Sequence, residues 1–120
     1  MRGNTTFQVK GQHTCGSTDL VYLIRCRKDC PEAWYVGETE QTLRKRMNGH
    51  RATIRNCDPL PVAEHFNTAG HSTTDMPVNV LVGGLEDLRQ RLTVEQRLIE
   101  RLGTHEGGLN RDRGFMSHYT

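Results

Sequence analysis

Two short apolar runs in the first third of the chain have the composition of β-strands. Residues 20–24 read LVYLI, and a second run begins at the tryptophan of WYVGE. Branched and aromatic residues with few polar interruptions are typical of a largely buried strand. We therefore predict strands at residues 19–26 and 34–38, paired antiparallel because their connection is short. Tyr22 and Tyr35 would lie on adjacent strands, where alternation can place both on one sheet face.

Apolar residues recur at helical spacing after the second strand. This pattern predicts an amphipathic helix over residues 39–55, with Thr39 as a candidate N-cap. Arg46 and His50 lie four residues apart and flank the apolar stripe, so we expect both to point toward the sheet. The stripe consists of Leu43, Met47, His50 and Ile54.

The second half of the chain predicts two more helices and a third strand. We expect a short helix at residues 62–66, a strand at Val78–Val82 and a long helix at residues 85–102. Glu95 falls inside the apolar stripe of the long helix, where a carboxylate is costly unless it is paired or bound to metal. Glu95 is therefore either a metal ligand or a buried partner of an arginine. The stripe consists of Leu85, Leu88, Leu92, Ile99 and Leu102.

These elements predict an α+β fold with a small, mainly antiparallel three-stranded central sheet flanked by helices. At 120 residues the chain has the length of one domain. Residues 1–18 are polar and without period, and we interpret them as a flexible N-terminal arm. The domain would span residues 19–112 and be followed by a polar tail at residues 113–120.

The distribution of charge is more informative than its sum. Sixteen Lys and Arg against fourteen Asp and Glu give a net charge of only +2, but basic residues crowd the first long helix. Such a cluster can bind the phosphates of DNA, although a solvated basic helix face is the alternative. The candidate DNA contacts are Arg44, Lys45, Arg51 and Arg55.

Two cysteines and two histidines have spacings suited to one tetrahedral metal. Cys26 and Cys30 are separated by three residues, and His65 and His71 by five, which predicts a structural zinc site within this small domain. Reduced cysteines and surface histidines are the alternative. Because no apolar run suits a signal peptide or a membrane span, we expect an intracellular protein without disulfides. The spare ligands are Cys15, Cys57 and His13.

Several motifs along the chain resemble those of GIY-YIG nuclease domains. LVY at residues 20–22 and YVG at residues 35–37 correspond to the two signatures, and Arg46 and His50 follow on the next helix. VYLIxC, YVGET, RMxxHR, HFNxxGHxxxDMxV and GLN, in this order, are similar to the endonuclease of Penelope-like retroelements over roughly residues 15–112. The resemblance implies the GIY-YIG fold with a zinc-stapled insertion.

The resemblance also implies an activity. It predicts a divalent-metal-dependent DNA endonuclease that nicks target DNA to prime retroelement insertion. The partners would be DNA and the reverse transcriptase part of a longer polyprotein, with no membrane, and the location would be nuclear. The alternatives are a non-catalytic zinc-stabilised DNA-binding module, and a repair or restriction nuclease of the same fold.

The resemblance assigns a role to each matching residue. Tyr22 would be the general base, its pKa lowered by Arg46 and the metal. Arg46 would hold a non-bridging phosphate oxygen, and Glu95 would bind one Mg²⁺ or Mn²⁺. Tyr35 would orient the water or phosphate. His50 would assist proton transfer, and Asn110 would position groups around the metal.

Overall fold

A three-stranded antiparallel sheet forms the centre of the protein. The structure is a computed structural model that describes residues 15–28, 30, 33–68, 71–106 and 108–110. Strands β1 (Leu20–Arg25), β2 (Trp34–Thr39) and β3 (Val78–Val82) are arranged in the order β2-β1-β3. Both pairings with β1 are antiparallel. The predicted α+β architecture with a three-stranded antiparallel sheet is confirmed.

Three helices pack around this sheet. They are α1 (Leu43–Arg55), α2 (Pro61–Phe66) and α3 (Leu88–Leu102), and a short 3-10 helix, Thr73–Asp75, precedes β3. The predicted start of the first helix was wrong, because β2 continues through Thr39. Thr42 is the N-cap instead, and its side chain accepts the Lys45 N–H at 3.1 Å.

The two faces of the sheet carry separate apolar clusters. Strand alternation places Leu20, Tyr22 and Ile24 on the face that α1 and α2 cover. Val21 and Leu23 point to the opposite face, where they pack with Ile99 of α3. Tyr22 and helix α3 therefore lie on opposite faces of the sheet.

The third helix differs from its prediction at both ends. It begins at Leu88 after the N-cap Asp87, not at residue 85. Leu88 and Leu102 are 47% and 37% exposed, because they lie in the first and last turns and the sheet covers only the middle of the helix. The buried positions of α3 are Arg91, Glu95 and Ile99.

The segment before β1 is bonded to the domain. The carbonyls of Cys15 and Ser17 accept the N–H groups of Arg44 and Leu43, which satisfies donors that the first turn of a helix leaves open. Residues 1–14 of the expected arm, including His13, and the whole tail lie outside the described residues. Within the described ranges, no helix is both long and apolar enough to cross a membrane.

Candidate functional site

A hydrogen-bonded chain links α1 to the central strand. Arg46 Nε donates to the Tyr22 hydroxyl at 2.9 Å, and the same hydroxyl lies 2.8 Å from His50 Nε2. Tyr35 completes the group, since its ring centroid lies 5.4 Å from that of His50 and 6.3 Å from that of Tyr22. Four of the residues that the sequence nominated thus lie together on one sheet face.

Gly37 makes room for this cluster. It is the cross-strand partner of Tyr22 in the β1–β2 register. A Cβ at residue 37 would overlap the Tyr22 ring and lie 2.9 Å from Tyr35 Cε2. The position therefore requires glycine because the tyrosine side chain of the neighbouring strand crosses directly above its backbone.

Burial dominates the electrostatics of both tyrosines. Burial raises the pKa of Tyr22 well above its ordinary value, although Arg46 opposes this shift. Burial likewise raises the pKa of Tyr35, to about 12. Arg46 acts in the expected direction, but desolvation outweighs one neighbouring cation. The combined effect of Arg46 and a bound metal on the pKa of Tyr22 stays a prediction. Both hydroxyls are therefore protonated at neutral pH.

Glu95 lies close enough to the tyrosines to influence them. Its side chain is fully buried in the middle of α3. After burial and the neighbouring charges, its carboxylate contributes to the raised pKa values of Tyr22 and Tyr35. A carboxylate is a hard oxygen donor that suits Mg²⁺ or Mn²⁺, and such an ion would take its remaining ligands from water and substrate phosphate.

Asn110 holds the outer edge of β2. Its Oδ1 accepts the Val36 N–H at 2.8 Å, and its Nδ2 donates to the Val36 carbonyl at 2.9 Å. The Leu109 N–H also donates to the Trp34 carbonyl at 2.8 Å. The structure thus shows Asn110 fixing the strand that carries Tyr35, and its expected role around a metal stays a prediction.

Cys26, Cys30, His65 and His71 come together at the end of β1. One ligand atom from each lies within 4.8 Å of the others, so the four residues could hold a metal ion. The two sulfurs are 3.6 Å apart, and Cys30 Sγ is 3.2 Å from His71 Nε2. Two sulfurs bound to one tetrahedral zinc lie about 3.8 Å apart, so the cluster is compatible with structural zinc.

The state of His65 in this cluster also suits a metal. His65 Nε2 is buried and has no hydrogen-bond partner among the described residues. Burial and then the neighbouring His71 lower the pKa of His65, which favours the neutral imidazole that a metal requires. Burial raises the pKa of the Cys26 thiol, and the Lys28 N–H, which donates to Cys26 Sγ at 3.4 Å, opposes that shift. The spare ligands Cys15 and Cys57 are not in the cluster.

The basic residues of α1 lie on its outer side. Arg44, Lys45 and Arg55 are exposed to solvent. Arg51 is half-buried, and its Nη1 donates to Asn48 Oδ1 at 2.6 Å. Three of the four nominated DNA contacts are thus fully accessible, and the fourth is partly engaged within its own helix.

Sequence reasoning missed one charged residue of this region. Arg91 is only 2% exposed, although it lies one helical turn before Glu95 on the buried side of α3. Its position four residues before an acid in an apolar stripe was the available signal. The buried face of α3 was predicted from the positions of its leucines, so the prediction did not include Arg91.

Comparisons of this chain with family models, curated proteins and solved structures found no match.

Proposed function

We propose that this protein is a divalent-metal-dependent DNA endonuclease of the GIY-YIG type, similar to the endonuclease of Penelope-like retroelements. It would nick target DNA in the nucleus to prime insertion, as part of a polyprotein with a reverse transcriptase. The observation that carries the proposal is the buried chain from Arg46 through Tyr22 to His50, beside Tyr35 and the carboxylate of Glu95.

The hydrogen bonds suggest a path for the proton of the attacking water. Arg46 Nε–H donates to the Tyr22 oxygen, and the Tyr22 hydroxyl donates to His50 Nε2 when the imidazole carries its proton on Nδ1. Tyr22 would accept the proton of the water while passing its own proton to His50. This relay does not require a stable tyrosinate, so it agrees with the raised pKa of Tyr22. Tyr35 would orient the water or the phosphate.

Arg46 would neutralise charge on the scissile phosphate. An arginine guanidinium keeps its charge throughout the working pH range, so Arg46 can act as a fixed cation. A Mg²⁺ or Mn²⁺ bound at Glu95 would supply further charge neutralisation at the phosphate and the leaving oxygen. Glu95 is fully buried, so neighbouring side chains must move before a hydrated ion can reach its carboxylate.

We also propose that the cluster of two cysteines and two histidines binds zinc in a structural role. With all four positions filled by protein ligands, such a site has no open position for substrate. The cluster joins the end of β1 to the segment after α2, which are distant in sequence. Its geometry and the orphaned His65 Nε2 support this assignment.

One observation favours a second candidate function. Tyr22 and Glu95 have no exposed surface, as expected of residues that serve packing alone. A non-catalytic, zinc-stabilised DNA-binding module would keep the basic face of α1 and would not need access to these groups. A repair or restriction nuclease of the same fold would use the proposed chemistry on another DNA target.

A plasmid-nicking assay tests the proposed function. The wild type, Glu95→Gln and the control Glu100→Gln, an exposed acid of the same helix, are compared on supercoiled DNA with Mg²⁺ or Mn²⁺. We expect Glu95→Gln to lose at least about a hundredfold in rate, since it removes the metal ligand, and Glu100→Gln to match the wild type. Equal nicking by all three would sink the proposal. No nicking by a folded wild type that binds DNA would support the binding module.

A further inference from the structure

Asp75 is a buried acid that the proposed cleavage chemistry does not use. Only 3% of its surface is exposed, and it lies in the 3-10 helix between His71 and β3. A carboxylate taken out of water is costly unless hydrogen bonds or an opposite charge replace its hydration. Capping a helix does not by itself require burial, since Asp87 caps α3 while it is exposed. The contacts of Asp75 show what its burial serves.

The Asp75 carboxylate closes the turn that directly follows His71. Its Oδ2 accepts the Ser72 N–H at 3.0 Å, and the Ser72 carbonyl accepts the Asp75 N–H at 3.0 Å. The Ser72 hydroxyl in turn accepts the Thr74 N–H at 3.3 Å, which completes a capping box. On the preceding side, the His71 N–H donates to the Thr68 carbonyl at 3.0 Å. The backbone around His71 is therefore fixed on both sides.

Asp75 also binds the segment that carries the first cysteine of the cluster. Its carbonyl accepts the Arg27 N–H at 2.8 Å, and its Oδ1 lies 3.8 Å from Arg27 Nε. The Arg27 side chain is 56% exposed, so the ion pair is weak and the backbone bond is the main link. Arg27 directly follows Cys26, just as Ser72 directly follows His71. One residue thus joins the neighbours of two cluster residues that are distant in sequence.

We propose that Asp75 is a positioning residue for the metal cluster: it holds the segment of His71 against the segment of Cys26, so that their side chains are in place when a metal binds. The inference rests on the proposed structural zinc site. Ligands that are held in place lose less conformational freedom on binding, which increases the affinity for the metal. The separation of 3.2 Å between Cys30 Sγ and His71 Nε2 agrees with ligands held in this way.

Zinc affinity measured by competition with a chromophoric chelator tests this role. Asp75→Ala removes the acceptor for the Ser72 N–H. We expect it to raise the zinc dissociation constant at least about tenfold, because loss of a group that orients metal ligands typically weakens a site by about 10–100-fold. Asp75→Asn keeps an oxygen that can accept the same N–H, so its dissociation constant should stay within about threefold of the wild type.

Asp87→Ala is the matched control. It removes an acid that caps a helix outside the cluster, where Asp87 Oδ1 accepts the Arg89 N–H at 3.1 Å. We expect this variant to unfold at a lower temperature than the wild type, with a zinc dissociation constant within about threefold of it. If Asp75 served only to cap its own turn, the two alanine variants would have similar zinc affinities.

The outcomes separate this inference from the proposed function. A wild type that binds zinc, with an unchanged dissociation constant in Asp75→Ala, would overturn the inference alone. Equal losses in Asp75→Ala and Asp87→Ala would overturn it too, as would an Asp75→Asn variant as weak as Asp75→Ala. A wild type that binds no zinc would overturn the proposed zinc site and this inference with it, while the nicking assay still decides the nuclease.

A second variant decides the matter if Asp75→Ala does not fold. Ser72→Ala removes the hydroxyl half of the same capping box at an exposed residue, so the fold should tolerate it. A zinc dissociation constant raised at least about threefold would support the positioning role, because the turn after His71 is then less firmly held. An unchanged value would overturn it.

Discussion

At the scale of single residues, Gly37 and Tyr22 determine each other's conformations. The Tyr22 hydroxyl meets Arg46 and His50 only because its ring passes over a residue without Cβ. The geometry of the candidate site thus depends on a backbone position that contributes no chemistry of its own.

Replacing Gly37 by alanine tests this dependence. The added Cβ overlaps the Tyr22 ring, so Gly37→Ala should lower the free energy of unfolding by about 1–3 kcal/mol and abolish nicking. Urea denaturation and the plasmid assay measure the two effects. The control is Gly49→Ala in α1, whose added Cβ would make only an ordinary contact, 3.9 Å from Arg46 Nη1. Because alanine has a higher helix propensity than glycine, this variant should stabilise the protein by about 0.5–1 kcal/mol. A stable, active Gly37→Ala would contradict the geometry.

The pKa of Tyr35 predicts how stability depends on alkaline pH. Its folded-state pKa of about 12 exceeds the ordinary value of 10.0, so the folded state holds the proton more tightly than the unfolded state. The resulting stability is fully present below pH 10 and is lost as pH rises from 10 toward 12. Urea denaturation across this range should show a shallower decline for Tyr35→Phe than for the wild type. Equal declines would show that Tyr35 titrates normally.

At the scale of elements, the cysteine and histidine cluster connects segments that the sheet does not join. Cys26 and Cys30 belong to the end of β1 and the connection to β2, whereas His65 lies in α2 and His71 follows it. The 3-10 helix and β3 come next, so a metal here also fixes the approach to the third strand.

Loss of the metal should therefore loosen the whole domain. Zinc at a thousandfold its dissociation constant adds about 4 kcal/mol to the stability of a protein that binds it only when folded. Cys30→Ser should lose zinc, measured by elemental analysis, and should unfold at a lower temperature, as should the wild type treated with a chelator. Cys57→Ser, at an exposed cysteine outside the cluster, is the control and should retain one zinc per chain. Full stability of the zinc-free protein would argue against a structural metal.

At the scale of the whole molecule, the net charge is small but the charged residues are unevenly distributed. The net charge is +2, yet α1 carries the exposed residues Arg44, Lys45 and Arg55 and contains no acidic residue, whereas the exposed arginines of α3 share their helix with the exposed Glu100. The acids Asp19, Glu38 and Glu40 lie around Arg91, whose single positive charge offsets one of their three negative charges. The exposed side of α1 is therefore more basic than the net charge of the chain indicates.

Paired charge removals test which surface meets DNA. Lys45→Gln/Arg55→Gln removes two exposed cations of α1 and should weaken duplex binding, with a fall in the salt slope of about 0.9 per lost phosphate contact. Arg97→Gln/Arg101→Gln removes the same charge from the exposed side of α3 and should change binding little. Anisotropy titrations at several salt concentrations give both values. Equal losses in the two variants would mean that net charge, and not α1, determines binding.

The sequence predicted the type and order of the helices and strands correctly, but it misplaced some of the residues at which they begin and end. Strand and helix types follow from local periodicity, and these were correct. The end of β2 and the start of α1 were misplaced, because Thr39 and Thr42 are both acceptable caps and only pairing of Thr39 with Leu20 decides between them. For α3, periodicity could not reveal how far the sheet extends beneath the helix.

The sequence alone determined the three-stranded α+β architecture and nominated the four cysteines and histidines that lie together, because periodicity and ligand spacing are local properties. Only the tertiary structure decided the pKa shifts of the tyrosines and the contacts of Asn110 and Arg91. Desolvation and ion pairing depend on which distant segments exclude water from a group. Arg91 meets Asp19 and Glu38 across more than fifty residues of intervening chain, and no local pattern encodes that meeting.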